Sequence, residues 1–380
     1  MANTLSNVMP KLLAKGLLAL REAAVMPRLV ATEYGDEAAQ KGQTIDIPVS
    51  RAQTASDVSP GPTHASAASN TPGLVQVPLD QWKHTDFYLT DKEMAEIDRS
   101  RHFVPMQASE AVKALANSMD RHVHNQYTGI YGYVGTAGVT PFSTVATATD
   151  TRKVLNQQLA PVSIRNVVLD PSAEAQALQL AAYSDVEKTG DRAVKIEGEI
   201  GRKFGMDHFM SQNVVTHTAG TLLNGVVAST AAAGASTIDV KAASATGNLV
   251  VGDVFTIAGD SQTYVVKATV SAISSSTAKQ VSIDPALQQA VSATAATATK
   301  ATHVVNLGFH PQAFAFANRP LLSATQDLDG GARMVSATDP VTGLSMRLEI
   351  IRQNKQDAWD FDVLYGAKLV RPELACRIAG

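Results

Sequence analysis

The sequence predicts an α+β body that is interrupted by a small inserted β-barrel. Helix-type and strand-type hydrophobic patterns occur together before residue ~216 and after residue ~305, which is typical of a mixed body. Between them the composition changes, because residues 217–304 contain 20 Ala, 10 Ser and 13 Thr. The only aromatic residues of this stretch are Phe255 and Tyr264. The change predicts a separate module.

Length, charge and cysteine content exclude several classes of protein. The 380 residues are 45% apolar, so the chain can bury ordinary hydrophobic cores. Its 32 basic and 35 acidic residues give a net charge of -3, which indicates no strongly charged partner. The single cysteine, Cys376, excludes an internal disulfide and a cysteine-based zinc cage. We expect neither a membrane span nor a signal peptide, because no apolar run reaches the required length.

Residues 1–41 predict an N-terminal arm. Apolar side chains recur there at helical spacing, which indicates an amphipathic segment. Leu12, Leu17 and Leu20 lie on its apolar face and are the candidates that dock the arm.

Residues 42–88 predict an extended β-hairpin loop. Residues 42–49 and 74–79 alternate apolar and polar side chains, and a stretch rich in Ser, Thr, Pro and Gly separates them. Such a loop has few internal apolar contacts to offset the entropy of ordering it, so we expect a neighbouring molecule to order it. The candidate contact residues of the loop are Ile45, Ile47, Val75, Val77 and, as an anchor at its base, Trp82.

The longest predicted helix covers about residues 104–132. Pro105 suits a first helical position, and eight apolar residues then follow one helical face. They are Ala108, Ala111, Val112, Leu115, Met119, Val123, Tyr127 and Ile130. Ahead of it, Thr90 and Glu93 form a capping box that predicts a short helix.

The rest of the chain predicts further strands and helices around the inserted module. Asp170 and Pro171 predict a helix start directly after a strand at residues 164–169. Residues 188–212 show no clean period and predict irregular structure with a short strand or turn. Inside the module, β-type segments are predicted at Thr237–Ala242, Leu249–Ile257, Thr263–Ile273 and Lys279–Ile283.

The sequence contains no sharp catalytic, cofactor or metal motif, so we expect a protein that is not an enzyme. His122 and His124 point about 200° apart on one helix and cannot share a metal, so they are interpreted as solvent-facing or interface residues. Cys376 in an apolar strand is interpreted as a small buried hydrophobe. Asp327 and Asp329 are interpreted as a flexible acidic turn, because the twelve-residue calcium spacing is missing.

Four acidic residues of the module could instead line a calcium or lectin-like site. Asp253 and Asp260 follow glycines, and turns explain such pairs without a ligand. The other two acids are Asp239 and Asp284. Four lysines balance these charges, so the module is not predicted to bind nucleic acid.

The order of these parts resembles a tailed-bacteriophage major capsid protein of the HK97-like fold, of the podovirus type with an inserted domain. Three segments carry the resemblance: residues 42–48 open the loop, residues 87–93 close it, and residues 364–373 lie near the end of the sequence. The resemblance implies an HK97-like capsid fold with an N-arm, an extended loop, a long spine helix and an axial domain. The implied domain plan is an N-arm at 1–41, an extended loop at 42–88, a peripheral and axial body at 89–216 and 305–380, and an inserted β-barrel at 217–304.

The resemblance also implies a function. A protein of this family is a structural coat protein that self-assembles into hexamers and pentamers of an icosahedral shell packaging double-stranded DNA. It implies a scaffolding protein and a portal protein as partners, leaves a decoration protein as an open question, and implies no membrane, no cofactor, and a place in a virion capsid assembled in the host cytoplasm. The segment from Arg51 to Gly73 contains no lysine, so we expect a shell without loop crosslinks.

Two alternatives remain open at this point. The first is an encapsulin-like compartment, which shares the implied fold but encloses protein cargo. The second is a secreted adhesin or carbohydrate-binding protein, which the Ala/Ser/Thr-rich β module suggests. Cargo in purified particles would favour the first, and a glycan-binding monomer would favour the second.

Overall fold

The computed structural model describes residues 13–18, 20, 24–32, 39–50, 72–93, 106–185, 200–321, 333–339 and 343–380. Sheets dominate this part of the chain and helices are few, so the predicted mixed class is confirmed. None of the helices in these ranges is both long and apolar enough to cross a membrane.

One of the described helices, with 19 residues, is longer than the others. Residues 13–18 and 91–93 are helical. The named α-helices are α1 (Met26–Leu29), α2 (Met106–His124), α3 (Ala146–Gln157), α4 (Pro171–Gln179) and α5 (Ala181–Ser184). Short 3-10 helices follow at Asn125–Gly129, Pro311–Ala313 and Pro372–Leu374.

The strands are numbered in chain order. The first eight are β1 (Thr44–Val49), β2 (Gly73–Pro78), β3 (Gln81–Thr90), β4 (Gly132–Gly135), β5 (Arg165–Leu169), β6 (Arg202–Lys203), β7 (Met206–Met210) and β8 (Thr216–His217). The next eight are β9 (Asn224–Val227), β10 (Thr237–Ala242), β11 (Gly247–Leu249), β12 (Val254–Ile257), β13 (Thr263–Val266), β14 (Val270–Ile273), β15 (Lys279–Asp284) and β16 (Ala296–Thr299). The last six are β17 (His303–Phe309), β18 (Phe314–Arg319), β19 (Arg333–Thr338), β20 (Ser345–Arg352), β21 (Gln356–Leu369) and β22 (Ala375–Ala379).

The long helix α2 packs its apolar stripe into the main core. All eight residues of the predicted face are buried, as the 3.6-residue period requires. The predicted helix is too long at its end, because the 3-10 turn finishes at Gly129 and Gly132 begins β4. A Cβ at Gly132 would lie 2.9 Å from the Ala375 carbonyl oxygen, so this glycine allows β4 to run beside β22.

Two large sheets build the body around this core. In the seven-stranded sheet the order is β4-β22-β17-β5-β7-β6, with β8 paired to β17. In the five-stranded sheet the order is β18-β21-β20-β19, with β3 paired to β21. Asp170 caps α4 by accepting a hydrogen bond from the Ser172 amide, as predicted. Strand β7 lies in the stretch predicted to be largely irregular, and its parallel pairing with β5 stabilises it.

The barrel has six strands and its own core. Strands β10, β15, β13, β12, β16 and β9 close on themselves, and β11 pairs with β14 beside them. Each of the predicted segments 249–257 and 263–273 is divided into two strands. Gly252, with a φ of +92°, interrupts the first of these segments in a conformation that favours glycine. Two strands of the barrel, β9 and β16, were absent from the sequence prediction.

Candidate assembly surface and barrel junction

Strands β1 and β2 form a two-stranded antiparallel hairpin, as predicted. The register pairs Ile45 with Val77 and Ile47 with Val75, which places these four side chains on one face. Ile47 and Val77 are buried in a small cluster that includes Leu364 of β21. The base of this face is therefore covered by its own chain, whereas Ile45 and Val75 are only partly buried.

The opposite face of the hairpin is exposed. Leu74 on that face is 60% exposed, and Asp46 and Gln76 beside it form a cross-strand hydrogen bond of 2.9 Å. At the hairpin base, a Cβ on Gly366 would clash with the Pro78 carbonyl oxygen, so the glycine permits the hairpin to cross β21 closely. The hairpin is fixed at its base and presents apolar surface beyond it.

The N-terminal arm packs against its own body. Leu17 and Leu20 are buried in the main core, and Leu12 lies outside the described residues. The buried carboxylate of Asp120 on α2 accepts hydrogen bonds from the amides of Val25 and Met26, at 3.1 and 2.6 Å. Because Leu17 and Leu20 already contact their own chain, these two side chains have little surface left for a neighbouring subunit.

Trp82, the predicted anchor at the loop base, lies at the start of β3, which follows the hairpin and pairs with β21 over ten residues. Its indole N–H donates to Asp362 Oδ2 at 3.1 Å, and Arg347 both bonds to Asp362 and lies 6.0 Å above the indole ring. These contacts hold the ring in place although it is 48% exposed. Tyr88, six residues along the same strand face, is exposed as well. A fixed, exposed aromatic residue is a common anchor in protein interfaces.

Carboxylates concentrate on this face of the five-stranded sheet. Asp86 pairs with Asp360, and Asp360 pairs with Glu349 on the next strand. Partial burial, followed by the nearby Asp362 and Asp86 charges, raises the pKa of Asp360, while His84 lowers it. A hydrogen bond to Asp86 and the charge of that carboxylate raise the pKa of Tyr88. The local negative charge disfavours phosphate groups and suits a protein partner.

A buried polar cluster joins the barrel to the body. The ring of His217 lies between two partners: its Nε2 is 2.9 Å from Asp253 Oδ1, and its Nδ1 is 3.0 Å from the Tyr127 hydroxyl. Asp253 also accepts hydrogen bonds from the amides of Gly220 and Val250. The carboxylate comes from the barrel and the tyrosine from the end of the long helix, so the cluster ties the two together.

Arg377 completes this cluster from strand β22. It is fully buried and donates to the carbonyl oxygens of Gly252 at 2.7 Å and Thr128 at 3.2 Å. Its guanidinium also lies 5.0 Å from the centre of the Tyr127 ring. Burial lowers the pKa of Arg377 to about 10, so the side chain keeps its charge at neutral pH.

The sequence interpretation of Asp253 as a turn residue is incomplete. The carboxylate does accept a bond from the Val250 amide three residues earlier, but it is fully buried beneath His217. The contact with His217, which belongs to another element, decides the role of Asp253, and the sequence around Asp253 does not predict that contact. Within the described ranges, no group of three or more His, Cys, Asp and Glu side chains is arranged to hold a metal ion.

The interpretation of His124 as a solvent-facing or interface residue is wrong. Its ring is buried beside Tyr127, and burial lowers the pKa of His124 to about 4. His122 is partly buried with its ring edge-on to Tyr365. Asp327 and Asp329 lie outside the described residues.

Cys376 is buried in β22, and burial raises the pKa of its thiol. We expect a thiol reagent such as Ellman's reagent to leave the native chain unmodified and to modify Cys376 only on unfolding, because the thiolate is the reactive form. The variant Ser275→Cys, at an exposed position, should react at once and serves as the control. Rapid labelling of the native wild-type chain would contradict this assignment.

Comparison with known proteins finds solved structures that are similar to this chain but no match by sequence. No family model and no curated protein matches the chain. A structure titled "Mycobacterium phage Che8" is similar at 17% identity and a TM-score of 0.49, covering 93% of this chain and 90% of that one. The "Capsid structure of the Cyanophage P-SCSP1u" has 13% identity and a TM-score of 0.46, covering 94% and 88%. The "Crystal structure of virus-like particle from Pyrococcus furiosus" has 8% identity and a TM-score of 0.45, covering 97% and 98%.

Phage capsids, the class that the sequence resemblance names, are thus among the structures similar to this chain. Their TM-scores lie below 0.5, so these similarities alone assign no function to the chain.

Proposed function

We propose that this chain is the major capsid protein of a tailed phage, a structural subunit that assembles with many identical copies into a closed shell. The observation that carries the proposal is the hairpin β1–β2. A two-stranded hairpin is at best marginally stable in water, yet this one extends from a base packed on β21 and exposes Leu74 and Val75 beyond it. A neighbouring copy would supply the missing contacts.

The second support is the outer face of the five-stranded sheet. Trp82 is held in place by Asp362 and Arg347 while half of its surface is exposed. The neighbouring carboxylates Asp86 and Asp360 favour protein over phosphate as the occupant of this face. Ile45 and Val75, which are partly buried, remain candidates for the same kind of contact.

The architecture of the shell and its partners are proposed from the family resemblance. Hexamers and pentamers would form an icosahedral shell in the virion, around double-stranded DNA, assembled in the host cytoplasm with scaffolding and portal proteins and a decoration protein. Individually modest interfaces, repeated over many copies, become collectively stable. In this proposal the module at 217–304 is an inserted domain of an HK97-like subunit, and the protein has no enzymatic role.

The test is electron microscopy of the purified recombinant chain and of a hairpin variant. We expect closed particles from the wild-type chain and none from Leu74→Asp combined with Val75→Asp, because the added charges oppose burial under a neighbour. Both positions are at least partly exposed, so tryptophan fluorescence should show an intact body. Thr44→Asp, an exposed change at the hairpin base, is the matched control and should still form particles.

Two results would overturn parts of this proposal. Normal particles from the double variant would remove the hairpin from the assembly contact. Wild-type particles that enclose protein cargo in place of DNA would favour the encapsulin-like alternative.

A further inference from the structure

The loop between α3 and β5 presents unusual apolar surface. Three large apolar side chains lie within six residues: Leu159 is 89% exposed, Val162 is 59% exposed and Ile164 is 60% exposed. We call residues 159–164 the apolar tip. Single exposed apolar residues are normal on a protein surface, but a concentration of them marks an interaction site.

The backbone of the apolar tip is strained at two of these positions. Leu159 has a φ of +60° and Ile164 a φ of +52°. The left-handed region is costly for any residue with a branched side chain and especially for a β-branched isoleucine. Strain of this kind persists where the surrounding structure imposes it, and it concentrates at functional sites.

Arg165 imposes the shape of the apolar tip from below. Its side chain is 1% exposed, and its guanidinium donates to the carbonyl oxygens of Pro161 and Ala160, each at 2.7 Å. The amide of Ala160 also bonds back to Leu155 of α3. A buried charge thus fixes the loop backbone while the apolar side chains point outward, which means that the surface is already ordered before any partner binds.

From this geometry we infer that the apolar tip is a self-association contact, covered by a second copy of this chain. The segment from Gln158 to Ile164 contains no charged side chain, so identical copies can meet there without like-charge repulsion and without desolvating an ion. Its three exposed side chains cover far less than the ~800 Å² that each partner of a stable dimer buries. The apolar tip is therefore one of several contacts in a multi-copy assembly. The inference rests on the proposed function because it assumes this assembly.

The first test uses Leu159→Asn. Asparagine tolerates the left-handed conformation, so the melting temperature of the unassembled chain should rise. At the same time self-association should weaken by about tenfold, because the contact loses a buried leucine. Val139→Asn, at another exposed valine outside the apolar tip, is the matched control and should associate like the wild-type chain. Unchanged self-association of Leu159→Asn in sedimentation experiments would overturn the inference.

The second test identifies the occupant directly. Val162 is replaced by a photo-crosslinking phenylalanine derivative, the purified chain is irradiated, and the products are analysed by mass spectrometry. A crosslinked dimer of the chain supports the inference. A crosslink to lipid or to a different protein, or no crosslink, overturns it.

The two tests also separate this inference from the proposed function. If wild-type chains make no closed particles but crosslink to each other through position 162, the proposed function fails and the apolar-tip contact stands. If particles form equally from wild-type and Leu159→Asn chains and no chain-to-chain crosslink appears, the inference fails while the proposed function stands.

Discussion

Asp253→Ala is expected to weaken the junction between the barrel and the body by about 3–5 kcal/mol, because several hydrogen-bond donors lose their acceptor and each buried one costs about 1–3 kcal/mol. The change leaves three hydrogen-bond donors without an acceptor, two of them buried and the third partly buried. They are His217 Nε2 and the amides of Gly220 and Val250. Since His217 also contacts Tyr127 at the end of the long helix, the loss extends across the junction.

The measurement is amide hydrogen exchange, because tryptophan fluorescence does not report on the barrel. Both tryptophans, Trp82 and Trp359, lie in the five-stranded sheet. In the variant, we expect amides of the barrel near the junction to lose protection while those of α2 keep theirs. Asp239→Ala is the control: this barrel carboxylate accepts a hydrogen bond from Ser229 at the surface, and its removal should cost about 0.5 kcal/mol or less. Unchanged protection in Asp253→Ala would mean that the cluster does not hold the barrel.

Local signals were sufficient for the helices and for much of the sheet structure. The stripe along α2 could be predicted because the residues that form a helical period are close in sequence, although the predicted end lies too far along the chain. The hairpin could be predicted for the same reason, as alternation along β1 and β2 already determines which side chains share a face. The Thr90 and Glu93 capping box also forms as predicted, with Glu93 accepting from the Thr90 amide at 2.8 Å.

The features that the sequence does not predict depend on pairing between segments that are far apart in the chain. Strands β9 and β16 consist of small and weakly patterned residues such as Gly225 and Ala298, and they become strands because they pair with each other and close the barrel. The sequence places Trp82 at the base of the loop but predicts no strand there, because the partner strand β21 lies near the other end of the chain. Arg377 looks like an ordinary polar residue of a strand, and it becomes a buried charge because the barrel and the 3-10 turn after α2 both lie against it. Tertiary burial, unlike a helical period, leaves no local pattern.

The second large effect is expected in acid, between about pH 6.5 and pH 4, where the free energy of unfolding should fall as pH falls. Burial lowers the pKa values of His124, His208 and His303 to about 4. In the unfolded chain these imidazoles take up protons near pH 6.5, whereas in the folded chain they stay neutral until about pH 4. The unfolded state therefore binds more protons throughout this window. The stabilisation that comes from keeping the histidines neutral is complete above about pH 6.5 and is lost as the pH falls. Each fully buried histidine contributes a slope of up to about 1.4 kcal/mol per pH unit.

Urea unfolding between pH 7 and pH 4.5, at a concentration where light scattering detects no assembly, measures this slope. The variants His124→Gln and His208→Gln each remove one buried imidazole, so each should flatten the slope by about one bound proton even if its stability at pH 7 is lower. Comparing slopes rather than absolute stabilities separates the titration from the loss of packing. Both rings lie against aromatic side chains, His124 beside Tyr127 and His208 beside Phe142, and protonation in these apolar surroundings is what the folded state resists. A wild-type free energy of unfolding that stays constant from pH 7 to pH 5 would show that these histidines become protonated without unfolding.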